Sequence, residues 1–190
     1  MNSHLRQGGR LSMTAREVVL YALLASLLLV VQVGLAFLPN IELVSLLLIV
    51  YTRSMGKKAL IPLYVFVLAE GLIYGFGIWW INYLYIWAVL VFAVILFRKI
   101  ESVWFWAIVS CVYGLCFGTL SAVPYFFMGG FTLAATYIVN GIPFDLLHGA
   151  GNFVTALVLM KPLHHVYAHV YQTYFVSIQE MKEPQSPSEN

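Results

Sequence analysis

Charge is what this 190-residue chain has least of: Asp, Glu, Lys and Arg together make up 9% of it, against about 25% in an ordinary soluble domain. A soluble fold needs more charge than this to stay dispersed. Cysteine is also scarce, at two residues, which excludes a disulfide scaffold. Low hydrophobicity, the mark of disorder, is missing as well: 62% of the chain is apolar or aromatic. The net charge of +2 is too small to suggest nucleic-acid binding. Signatures of common chemistry are absent too. There is no P-loop, no H-E-x-x-H and no G-x-S-x-G, so the expectation is a chain that is not an enzyme and carries no cofactor or metal. Cys111 and Cys116 do not make a C-x-x-C pair and read as buried thiols. His165 and His169 have metal-compatible spacing but no acidic or thiolate neighbour. What remains is an all-α integral membrane protein.

Long apolar runs fill the chain. Residues 18–37 hold only Ser26 and Gln32 as polar interruptions, and twenty residues at about 1.5 Å each cover the roughly 30 Å hydrocarbon core. This run reads as a spanning helix rather than a cleaved signal peptide, whose apolar region is shorter. Pro39 and Asn40 then break the chain. Asn40 is an expected N-cap, with Glu42 in the first turn, where the helix dipole favours an anion. The second run, 41–51, is short for a span and must tilt, extend through Thr52 or be covered by neighbours. The third, 59–76, carries Glu70 well inside it. The fourth, 79–97, opens on Trp79-Trp80-Ile81-Asn82-Tyr83-Leu84-Tyr85. The fifth is 103–127. Residues 128–143 contain Gly129, Gly130, Gly141 and Pro143 and read as a loop or a short interfacial helix. The sixth run is 145–160. A His- and Tyr-containing cytoplasmic interfacial helix follows over 164–182, and a Pro- and Ser-rich disordered tail over 183–190.

Six spans bring both termini to one side. That side then receives Arg6, Arg10, Arg16, Arg53, Lys57, Lys58, Arg98, Lys99, Lys161 and Lys182, every Lys and Arg in the chain. Cations collect on the cytoplasmic face, so both termini, including the tail 1–13, are expected in the cytoplasm, beneath one six-helix bundle over 14–163.

Three carboxylates do not fall with the cations: Glu42, Glu70 and Asp145. Ionisable groups within a membrane are costly and usually functional. Asp145, His148 and Asn152 are spaced three and four apart, which lines them along one helix face. Asn152 lies about 10 Å deeper than Asp145. Glu70 lies about 16 Å into its helix. Glu42 is explained by its place in a first turn. Trp79 and Trp80 stand beside polar Asn82 at a Gly-broken turn, and aromatic walls with a few polar groups make a ligand pocket. The expected ligand-binding set is therefore Glu70, Trp79, Trp80, Asn82, Asp145, His148 and Asn152. Small residues spaced by four, as at Gly71 and Gly75 or Gly114 and Gly118, permit close helix contact. Ala15, Ala22 and Ser26 share a face of the first helix and form an expected partner-docking stripe.

Thr14-Ala15-Arg16-Glu17 leading to Ala22-Leu-Leu-Ala25-Ser26, Pro39-Asn40-Ile41-Glu42 leading to Leu47-Leu-Ile-Val50, and Gly141-Ile-Pro-Phe-Asp145-Leu-Leu-His148-Gly-Ala-Gly-Asn152-Phe153 before Lys161-Pro162-Leu163 together resemble the substrate-binding S component of energy-coupling factor (ECF) transporters. The resemblance covers residues 14–163. It implies an ABC-type importer subunit of a prokaryotic-type, multi-pass cell membrane. Such a subunit captures a vitamin or related micronutrient outside, docks on a transmembrane coupling subunit with two ATPases, and topples to release the ligand inside. The family's Ala-x-x-x-Ala docking pattern falls here on Ala22 and Ser26, a departure that keeps the small size. Acceptors without Lys or Arg suit a cationic, amine- or amide-bearing ligand, and cobalamin, thiamin-like, flavin-like and modified-base ligands all stay open. The alternative is an ion- or proton-coupled secondary transporter acting alone.

Overall fold

A computed structural model describes residues 13–182, with side chains described through residue 173. Arg6, Arg10, the side chains of Glu180 and Lys182, and the expected disordered tail 183–190 lie outside the described residues.

Six α-helices make up the described chain: α1 (Ala15–Gly34), α2 (Val44–Met55), α3 (Leu60–Tyr74), α4 (Ile78–Phe97), α5 (Val103–Ser121) and α6 (Val123–Lys182), with a short 3-10 turn (Gly56–Ala59) between α2 and α3. Four of them, α1, α4, α5 and α6, are long and apolar enough to cross a membrane.

Local chemistry sets the boundaries. Thr14 and Glu17 form a capping box at the start of α1: the Thr14 hydroxyl accepts from the Glu17 N–H at 3.2 Å, and the Glu17 carboxylate accepts from the Thr14 N–H at 2.9 Å. Each satisfies a backbone donor that the first helical turn leaves unpaired. The helix therefore starts before the apolar run and ends at Gly34, ahead of Pro39, whose ring disfavours helix in the residue before it. Asn40 is not the cap of α2. It adopts φ +57°, a left-handed conformation that asparagine tolerates, and the Glu42 carboxylate accepts from the Ser45 N–H at 2.8 Å instead. The start of α2 shifts to Val44 accordingly.

With 12 residues, α2 is about 18 Å long. Ten of those residues are buried, because α1, α4 and α6 pack around it. A helix this apolar and this enclosed forms the centre of the core, where Leu48, Ile49, Tyr51, Phe66, Trp87 and Trp106 are all fully buried. The outer surfaces of the other helices stay apolar, with Leu23, Leu72, Phe92, Leu96 and Ile108 exposed. Apolar side chains both within and without are the pattern of a bundle immersed in hydrocarbon.

Segment 128–143, expected as a loop or a short interfacial helix, is neither a loop nor a separate short helix but part of α6. It is helical except at Gly129 and Gly130, where the backbone reaches φ +70° at Gly130, a conformation that costs glycine nothing. The kink splits α6 into a short arm, 123–128, and a long arm, 131–182. Pro143 and Pro162 sit inside the long arm without ending it. Residues 164–182 continue this same helix.

Successive helices run back and forth between two ends. At one end, Lys58 lies 4.0 Å from Glu17. The Arg53 guanidinium stacks over the Trp106 ring, 5.3 Å from its centroid. Arg98 lies against Gly56, and Lys161 shares a shallow depression with Glu101. This is the basic end. The loops 35–43, 75–77 and 121–130 lie at the opposite end.

Candidate functional site

The α5–α6 seam builds the far end. A Cβ on Gly114 would sit 2.8 Å from the Gly149 backbone nitrogen, and a Cβ on Gly118 would overlap the Asp145 carboxylate. Glycine at Gly114 lets the two helices meet backbone to backbone, and glycine at Gly118 makes room for the Asp145 carboxylate. The four-residue glycine spacing is thus a contact seam, and one turn beyond it the Asp145 carboxylate accepts from the Gly118 N–H at 2.9 Å.

Two adjoining cavities at this end hold the candidate site. The first, about 280 Å³, is enclosed by Gln32, the 35–42 loop, Tyr83, Trp87, Phe117 and His148. On its wall, His148 Nε2 stands 3.3 Å from Glu42 Oε1. An ionised carboxylate has no hydrogen to give, so the ring hydrogen belongs on Nε2. Phe117 packs edge-on against the imidazole, with centroids 4.9 Å apart. Trp79, Tyr83 and Trp87 form a ladder of T-shaped contacts at 5.3 and 5.6 Å, an i, i+4 series on one face of α4. Gln32 Nε2 donates to the Tyr83 hydroxyl at 3.3 Å.

The second cavity, about 540 Å³, lies between α5 and the kinked α6. Its polar lining includes Asn40, Ser121, Thr136, Asn140 and Asp145, and Tyr125 and Tyr137 form an aromatic wall. Their rings stack at 4.2 Å and 21°. Asn40 and Phe117 line both cavities. Among the described residues, no Lys or Arg lines either one.

The expected ligand set divides on this frame. Asp145 and His148 line the second and first cavities respectively. Asn152 turns inward on the same helix face but deeper, donating to the Ser110 carbonyl at 3.4 Å. Its Oδ1 is buried without a partner among the described residues. Asn82 donates to the Ser121 carbonyl at 3.3 Å and so ties α4 to the wall of the second cavity. Trp79 caps the aromatic ladder. Trp80 faces α3, donating to the Val67 carbonyl at 2.8 Å, with its ring over Gly71. Glu70 is buried in α3, lines neither cavity, and leaves Oε1 without a partner among the described residues. Among the described residues, no cluster of three His, Cys, Asp or Glu side chains is placed to hold a metal.

The Trp80 bond is directly testable. Trp80→Phe keeps an aromatic ring and loses the donor, so the Val67 carbonyl keeps only its bond within α3. It is expected to cost about 1 kcal/mol, read as a lowered thermal unfolding midpoint in detergent.

Several residues of the site are missing from the expected ligand set. Glu42 was explained as a first-turn residue, and Gln32 as an interruption of an apolar run. Tyr83 and Trp87 carried a usable signal, their i, i+4 spacing from Trp79. Phe117, Tyr125 and Tyr137 carried none, because aromatics are common throughout the chain.

Comparison with protein-family models, curated proteins and solved structures gave no match.

Proposed function

We propose that this chain is the substrate-capture subunit of an ECF-type ABC importer, with six spans and both termini in the cytoplasm of a prokaryotic-type plasma membrane. On this reading the basic end faces the cytoplasm, as the distribution of Lys and Arg requires, and the far end opens outward to take up a vitamin or related micronutrient. The observation that carries the reading is the pair of adjoining aromatic and carboxylate-bearing cavities at the end opposite the described cations. Each is of a size that suits a small ligand or part of one. The α1 stripe supports the second half of the reading. Ala15, Ala22 and Ser26 are exposed, and the Ser26 hydroxyl is turned back onto the Ala22 carbonyl at 2.8 Å. That leaves a smooth face of small residues on which a coupling subunit can pack closely.

Mass spectrometry of small molecules that co-purify with the chain would name the ligand. Reconstitution with a coupling subunit and two ATPases is then expected to give uptake of that compound only when ATP is hydrolysed. Concentrative uptake by the chain alone, driven by an ion gradient, would overturn the proposal.

One observation favours the alternative of an ion- or proton-coupled transporter acting alone. Glu70 is an acidic group buried among apolar helices with an unpartnered oxygen, as proton-carrying carboxylates in membranes are. That reading requires uptake to collapse with a protonophore and to survive ATP depletion.

A further inference from the structure

Resting on the reading of the far end as a ligand site, we infer that the ligand is a flat aromatic organic cation whose charged end lies against Asp145 in the larger cavity.

The two carboxylates at this end are not equivalent. Glu42 is committed on both oxygens, Oε1 to His148 Nε2 at 3.3 Å and Oε2 to the Ser45 N–H at 2.8 Å. Asp145 is committed on one, Oδ1, to the Gly118 N–H at 2.9 Å, and Oδ2 makes no hydrogen bond among the described residues. A single peptide N–H does not neutralise a carboxylate. Among the described residues, His148 is the only basic side chain lining either cavity; its ring hydrogen is directed to Glu42, and it reaches Asp145 only through space. Asp145 therefore presents an unbalanced acceptor to the larger cavity, and a charged N–H donor is the group that satisfies it.

The walls set the rest of the ligand. The stacked pair Tyr125 and Tyr137, with Phe117 and Phe144, puts aromatic surface around the carboxylate. Aromatic faces carry negative potential, so they attract a cation and offer a surface to a planar ring. Phosphate or carboxylate ligands meet the opposite: a carboxylate, aromatic rings and, among the described residues, no Lys or Arg. Asn40 and Phe117 line both cavities, so the smaller one adjoins the larger.

Three probes of one shape separate charge from shape: benzamidinium, benzamide and benzoate, which carry positive, zero and negative charge. With the full chain in nanodiscs, ligand-observed NMR is expected to detect benzamidinium binding about tenfold or more tighter than benzamide, the ratio of a charge-assisted to a lost hydrogen bond, and no benzoate binding. Asp145→Asn is expected to abolish the preference for benzamidinium over benzamide. Tyr137→Leu, which leaves the carboxylate in place, is expected to weaken benzamidinium binding severalfold and decides the matter if the Asp145 variant does not fold. Benzoate binding as tight as benzamidinium, a benzamidinium preference unchanged in a folded Asp145→Asn variant, or a benzamidinium affinity unchanged in a folded Tyr137→Leu variant, overturns the inference. Its fate is separable from that of the importer reading. ATP-driven uptake by a chain that prefers benzoate would keep the importer and discard the cation site. Benzamidinium selectivity in a chain that transports without ATPases would do the reverse.

Discussion

Gly114→Leu is expected to abolish recovery of folded protein, with the detergent-solubilised chain moving from a single size-exclusion peak to aggregate. A Cβ at this position would lie 2.8 Å from the Gly149 nitrogen and 2.9 Å from its Cα. Those are backbone atoms of a neighbouring helix and cannot swing aside as a side-chain tip can. The obstruction is reciprocal, since a Cβ on Gly149 would meet Leu115 Cγ at 2.7 Å and the Cys111 carbonyl at 3.1 Å. Even Gly114→Ala forces α5 and α6 apart and is expected to cost about 3 kcal/mol, the upper part of the usual range for overpacking. That is a large share of the roughly 5–15 kcal/mol by which a domain is stable. Leucine adds three more carbons to the same collision. Gly34→Ala is the matched control: nothing lies within 4 Å of a Cβ there, and its unfolding midpoint is expected to stay at or above that of the parent chain. A Gly114→Leu variant that elutes and melts like the parent would refute the seam. The same variant would also disturb the larger cavity, because Asp145 meets Gly118 one turn further along the seam.

That seam and the alternation of helices between two ends were legible from residue types. Glycines four apart on an apolar helix mark close approach, and the clustering of cations in every second connection marks one end. The inward face of α6 was legible too, because Asp145, His148 and Asn152 follow the helical repeat. Segment 128–143 was not. Its glycines and Pro143 are the residues that break soluble helices, yet only Gly129 and Gly130 interrupt this one. Trp79 and Trp80 illustrate a second limit. Neighbours in a helix point about 100° apart, so Trp79 stacks on Tyr83 while Trp80 bonds to α3. Adjacency in the chain does not say which of the two meets the cavity. Glu42 illustrates a third. Its capping role is local and readable, but its partner His148 is 106 residues away, and no local spacing encodes that pairing.

The Glu42–His148 contact is expected to be strongly non-additive. His148→Ala would leave Glu42 with its Oε1 facing a largely dehydrated wall. Glu42→Ala would leave the imidazole N–H without its acceptor. Their side chains are only 12% and 5% exposed, so water replaces the lost partner poorly, and each single change is expected to cost about 3 kcal/mol, as for other broken buried pairs. Glu42→Ala also removes the acceptor for the Ser45 N–H and is expected to cost about 1 kcal/mol more than His148→Ala, the usual worth of a helix cap. The double variant leaves no stranded group at the pair. It is therefore expected to be no more than about 1 kcal/mol worse than Glu42→Ala alone, within the coupling found for residues in direct contact. Thermal or denaturant unfolding of the four proteins in one detergent closes the cycle. Simple addition of the two single effects would mean that the 3.3 Å approach contributes nothing. A coupling of about 2 kcal/mol would show that the 35–43 loop is tied to α6 through this pair, and digestion within that loop should then speed up in either single variant, more so in Glu42→Ala, which also loses the Ser45 contact. The loop forms a wall of the smaller cavity. The bond that stabilises the fold is thus also a bond between two walls of this cavity, the 35–43 loop and α6.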